Sequence, residues 1–189
     1  MADTKTVPEQ ITLGSGLLYY MEYNGSVPDD ATIETKNNIL GYIEGGATLE
    51  YKPTFTTVSD DLDYVSRTVT TKEETTLKSG LITYNADTLK VLCSTAREVS
   101  NSVGGKRTIK IGGLQNDNGK DYLFRFVHKD NVAGDVRITV AGRNQAGFSL
   151  AYQQDKATTV DAEIKASRSL DDTGTKIIYE ETAPTTTSE

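Results

Sequence analysis

The side chains from which reactive centres are usually built are scarce in this sequence. It has one cysteine, Cys93, and one histidine, His128, in 189 residues. A single cysteine excludes an intrachain disulfide, and the pair excludes a zinc site of the Cys/His type. Nucleophile–base chemistry is left almost without material. Cys93 falls on an apolar helical stripe and reads as a buried structural thiol, and His128 as a surface histidine. Among the carboxylates, Asp60-Asp61-Leu62-Asp63 offers oxygens of the kind calcium takes. It reads more simply as a solvated loop between strands. Asn116-Asp117-Asn118-Gly119 resembles part of a calcium loop. With Gly119 as the loop glycine, Leu114 and Arg125 fall at ligand positions, and neither can coordinate. Glu73 and Glu74 are neighbours on a strand and point to opposite faces, so they cannot serve one acid/base centre. Asp161 and Glu163 share a face, about 6–7 Å apart, which a wet sheet surface explains. The pairs Gly45-Gly46, Gly104-Gly105 and Gly112-Gly113 lack the spacing of a phosphate loop. The expectation is a protein without catalytic residues, cofactor or metal.

The elements that would position these residues are mostly strands. Short runs of period two are separated by Gly, Asn and Asp clusters. Expected strands cover Leu17–Tyr23, Gly41–Tyr51 with a bulge at Gly45-Gly46, an extension past Pro53 over Thr54–Ser59, and the Thr-rich stretch Arg67–Tyr84. Thr108–Leu114 and Tyr122–His128 flank the Asn116–Gly119 turn and read as a hairpin. Asp135–Ala141, Gly147–Gln153, Thr159–Ala166 and Lys176–Glu181 complete a meander. Its alternation (Tyr122, Phe124 and Phe126 on one face; Val136, Ile138 and Val140 against Arg137 and Thr139; Val160, Ala162 and Ile164 against Asp161 and Glu163) implies one dry and one wet face. One segment has helical period. Leu89, Leu92, Cys93, Ala96 and Val99 define a helix over about 86–99, capped by Asn85 or Asp87. The domain is expected over 15–181, between an N-terminal arm (1–14) and a flexible tail (182–189). The stretch at about 54–84 is a long loop or hairpin, polar on both faces over Thr68–Thr76. A monomer gains little from ordering such a ribbon, unless neighbouring subunits complete it.

Composition narrows the function classes. The net charge is −7, with 20 Lys and Arg against 27 Asp and Glu, which argues against a basic nucleic-acid footprint. Thr is the commonest residue, about one in seven, and ten Tyr with four Phe and no Trp suit sheet positions. No apolar run approaches the ~18 residues of a membrane span. The opening MADTKTVPEQ has no apolar region of the signal-peptide type, so synthesis in a reducing cytoplasm is expected.

The order of these pieces resembles the major tail tube proteins of long-tailed bacteriophages. The resemblance rests on four segments: LGSG before an apolar-aromatic strand (13–16), GG-x-x-LE in the second strand (45–50), Y-x-AD-x-L-x-x-L at the helix (84–92), and A-x-x-x-LDD-x-GTK near the end (166–176). It covers roughly residues 11–181. It implies an all-β fold with one flanking α-helix, sandwich- or barrel-like, whose subunits join into hexameric rings stacked as a tube. The implied partners are further copies of the chain, a tape-measure protein, tail-tip and terminator proteins, and DNA in transit. The implied location is the virion tail, after assembly in the host cytoplasm. On this reading Asp161, Glu163, Gln153, Glu73 and Glu74 are candidates for a negatively charged lumen wall, since like charge prevents adhesion of a polyanion. Arg67, Lys72 and Lys78 are candidates for contacts between rings. The alternatives are a soluble all-β module binding carbohydrate or protein, and the inner tube of a contractile or secretion-type particle.

Overall fold

Strand-forming residues cannot leave their backbone groups unpaired, and most of the chain resolves that demand in one antiparallel sheet. A computed structural model describes residues 15–100, 104–155 and 157–182. The strands are β1 (Leu17–Glu22), β2 (Ile39–Ser59), β3 (Ser66–Leu81), β4 (Arg97–Ser100), β5 (Arg107–Lys110), β6 (Tyr122–His128), β7 (Val136–Asn144), β8 (Val160–Ala166) and β9 (Ile178–Glu181). Two short helices, α1 (Asp30–Ile33) and α2 (Ala86–Leu92), interrupt them. The pairing order is β6-β1-β2-β3-β8-β7-β9, with β6 also paired to β7. The last pairing closes a six-stranded circuit through β1, β2, β3, β8, β7 and β6. Strand β9 extends it along the first half of β7, and β4 and β5 form a separate ribbon. Closure removes most sheet edges. It also requires close approach at Gly142, which pairs with both Tyr122 and Ala166. A Cβ there would lie 1.9 Å from the Lys165 carbonyl oxygen.

The alternating residues fill two cores. Leu18, Leu40, Leu77, Leu81, Phe124, Val140, Val160 and Ile164 pack together with Val91 and Leu92 of α2. A second cluster forms on the other side of β1, β6 and β7 from Tyr19, Ile33, Leu123, Val127, Ala141 and Leu170. The expected wet face of β6 is therefore covered as well. Arg125 on that face is only 2% exposed. It donates through Nε to Thr139 Oγ1 (2.9 Å) and through Nη1 to Asp30. Arg137 Nε lies 2.6 Å from Glu34 Oε1. These pairs tie α1 and the residue after it over the sheet.

Several expectations are corrected. The helix is two turns rather than three. Asn85 caps it with a capping box through Thr88, but the chain leaves helical geometry at Cys93. The Leu92 carbonyl accepts from Asn144 Nδ2 (2.9 Å), and residues 97–100 pair with 107–110 instead of continuing the helix. Cys93 is accordingly half-buried, its Sγ 3.4 Å from Thr95 Oγ1, and is not a core residue. Thr108–Leu114 does not form a hairpin with Tyr122–His128, because β6 takes β1 and β7 as partners. Gly147–Gln153 is not a strand. Strand β7, which it follows, is already paired with β6 on one edge and with β8 and β9 on the other, and the segment stays irregular, although Phe148 and Leu150 still pack against the first core. His128 is buried, not on the surface, and its Nδ1 lies 2.6 Å from the Ser15 carbonyl oxygen. Residues 1–14 and 183–189, which contain the expected arm and most of the tail, lie outside the described residues.

Candidate functional site

Two surface features remain once the cores are filled. The first is a long arm. Strand β2 runs 21 residues and β3 runs 16, and they pair from Ile43–Leu81 to Ser59–Ser66. Strand β1 covers β2 only as far as Tyr42, and β8 covers β3 only from Thr76 onward. Beyond Glu50 the two strands therefore have only each other. Nine residues of strand, Tyr51 to Ser59, span about 30 Å at ~3.3 Å per residue. Pro53 lies in this stretch, where a missing ladder donor is tolerated because the strand has become an edge. A bulge falls between Thr54 and Phe55 and another at Gly45-Gly46, both glycines at positive φ as the bulge demands.

The arm is poorly buried yet carries apolar side chains. Tyr51, Phe55, Val58 and Val69 are exposed along it. At its end Leu62, Tyr64 and Val65 are 71%, 82% and 71% exposed. The terminal turn is nonetheless closed. Asp60 N–H donates to the Val65 carbonyl (3.0 Å), Val65 N–H to Asp60 Oδ1 (2.7 Å), and Asp63 N–H to the Asp60 carbonyl (3.0 Å). The bond from Val65 N–H is the main cause that holds the Asp60 carboxyl below the ordinary carboxylate range. The loop reading of Asp60–Asp63 thus holds. Among the described residues no group of three or more His, Cys, Asp or Glu side chains is placed to hold a metal ion.

The second feature is the outward face of β2, β3 and β8. Alternation places Glu50 and Lys52, then Lys72, Glu74 and Lys78, then Asp161, Glu163 and Lys165 on one side of these three strands. They interleave by sign. Glu50 lies 3.0 Å from Lys52 and 3.4 Å from Lys78, and Glu74 lies 2.5 Å from Lys72 and 3.6 Å from Lys165. Glu163 is 3.9 Å from Lys78. The Glu50 and Glu74 carboxyls are held low, chiefly by the hydrogen bonds from Lys52 and Lys72 respectively. Of the lumen candidates, the fold brings together Asp161, Glu163 and Glu74. Glu73 is on the opposite side, accepting from Tyr51 Oη (2.7 Å), and Gln153 lies in the irregular segment after β7. Lys72 and Lys78, read as ring-to-ring contacts, sit within the charged face itself. Arg67 is on the arm, opposite Val58. The face is consequently charge-balanced, not acidic. Sequence alternation located its residues but not their pairing, which depends on β3 meeting β8 some 80 residues further on.

The segments that carried the resemblance have local structural roles. Asp171 of the LDD-x-GTK segment accepts from the N–H and Oγ1 of both Thr173 and Thr175 and builds the turn before β9, which holds its carboxyl far below the usual range. The arginine clusters around Asp30 and around Asp121 were not signalled in the sequence. Burial works to raise the Asp121 carboxyl, but Arg168 (2.5 Å) and Arg143 (2.8 Å) outweigh it and hold it low. Among the described residues no helix is long and apolar enough to cross a membrane. No protein-family model matches the chain, and no curated protein sequence matches it.

Proposed function

We propose that this chain is the repeating subunit of a hollow tube of the bacteriophage-tail kind, built from stacked hexameric rings and traversed by DNA. The observation that carries the reading is the arm. A two-stranded ribbon on its own is marginal in water, and ordering each residue costs about 1–2 kcal/mol. Residues 55–71 recover little of this within one chain, since their apolar groups stay exposed. Contact with further copies supplies the missing burial and covers two free backbone edges. The balanced face suits a conduit: each lysine is engaged by a carboxylate, so a passing polyanion meets no unengaged cation to release its counterions against. Asp161, Glu163 and Glu74, with their lysine partners, are the proposed wall. Tape-measure, tail-tip and terminator proteins are the proposed partners, and the virion tail the proposed location. The test replaces residues 55–71 by Asn-Gly, joining the paired residues Thr54 and Lys72 through a two-residue turn. The expected product is a folded barrel of unchanged thermal stability that no longer assembles. Tubes of normal appearance from this variant would refute the reading.

A further inference from the structure

The arm tip has a chemical complement elsewhere on the chain. Residues 60–65 combine three carboxylates, no cation, and three exposed apolar side chains. The β4–β5 ribbon has the reverse charge. Arg97 and Lys110 are directly opposed across it, an arrangement that repels. Lys106 lies just before β5, and all three are exposed. Among the described residues no carboxylate pairs with any of them. Arg107, in contrast, is engaged by Asp87 and Glu98 at 2.9 and 2.8 Å. Beside the ribbon, Ile111 is exposed and Leu114 is 93% exposed. Arg97 Nη1 donates to the carbonyl of Gly112, the residue after Ile111 (3.2 Å), which anchors its head there.

We propose that the arm tip of one copy docks on the β4–β5 ribbon and Leu114 flank of a second copy. This rests on the tube reading and names the receptor for its arm. Asp61 and Asp63 meet Arg97 and Lys110, relieving the like-charge pair, while Leu62 and Tyr64 cover Ile111 and Leu114. The closed turn presents these groups in a fixed shape, so little is lost in ordering them on contact. The two patches differ, so the contact is heterologous. Each copy offers a tip and a receptor, and such contacts propagate into open assemblies or close into rings.

Charge reversal tests this at exposed positions that support no other part of the fold. Asp61→Lys and Lys110→Glu should each raise the concentration needed for assembly about tenfold or more, because like charges then face each other. The double variant D61K/K110E should return it to within about threefold of the original. Oxidative cross-linking provides the second readout. In a Cys93→Ser background, a mixture of Tyr64→Cys and Leu114→Cys chains should yield a disulfide-linked pair, and a mixture of Tyr152→Cys with Leu114→Cys should not. Tubes that are insensitive to D61K and K110E and give no specific cross-link would overturn the docking while leaving the tube reading standing. A specific cross-link without tubes would support the docking and remove the tube reading. Monomers with no cross-link would overturn both.

Discussion

Arg125 and Gly142 are the single residues on which the barrel depends most. Arg125 is buried with Asp30 and Thr139 as partners, and Glu34 and Glu180 lie within 4 Å of its guanidinium. Replacing it by Met leaves carboxylates facing the sheet without their cation, which should cost about 3 kcal/mol in urea denaturation. A loss below about 1 kcal/mol would show that Arg137 holds α1 alone. Gly142→Ala places a methyl against the Lys165 carbonyl, with nowhere to move because both flanking strands are paired. It should destabilise by about 3 kcal/mol or more, through loss of the β7–β8 closure. The control is Gly25→Ala, where a Cβ meets nothing and only the positive φ is penalised, at roughly 1 kcal/mol. At this scale the sequence was partly legible. The inward set Phe124, Val140, Val160 and Ile164 followed from alternation. The burial of Arg125 and His128 did not, because nothing local reveals that a strand's polar side will be covered by a segment some 95 residues away, as Asp30 covers Arg125.

Elements were legible where their stabilisation is local and illegible where it is not. An N-cap at Asn85 or Asp87 was readable from residue types, the structure uses Asn85, and Asn85→Ala should cost about 1 kcal/mol, read from the shift in thermal midpoint. The helix C-terminus was not readable, because pairing of β4 with β5 overrides the helical period of Ala96 and Val99. The ribbon in turn is tied to α2 by charge. Glu98 is held at about 2, against an ordinary value of 4.5, first by its hydrogen bond from Arg107 and then by that from Lys90. Asp87 is lowered by the same two cations. Carboxyls depressed in the folded state contribute stability above their unfolded values and lose it as pH falls. The ribbon should therefore loosen between about pH 4.5 and 2. Hydrogen exchange at 97–100 and 107–110 should accelerate in that window before exchange in β6 and β7 does. Simultaneous loss of protection across all four strands would contradict this coupling.

For the whole molecule, the central claim is that one copy is incomplete. The sequence conveyed the length and polarity of the arm. It could not convey that β1 and β8 stop short of it, since pairing ranges are set by barrel closure. The same closure converts an expected acidic face into a lattice of Glu–Lys pairs. Exposed pairs of this kind are screened by salt, as is any contact between an acidic tip and a basic ribbon. Assembly should therefore weaken as ionic strength rises from about 0.05 to 0.5 M, followed by light scattering. Assembly that strengthens with salt would place apolar contacts ahead of charge. The most direct measurement is negative-stain electron microscopy of the concentrated protein beside the chain in which residues 55–71 are replaced by Asn-Gly. Hollow rings or tubes from the first and only single subunits from the second are expected. Single subunits from both at every concentration, or tubes from both, would contradict the account.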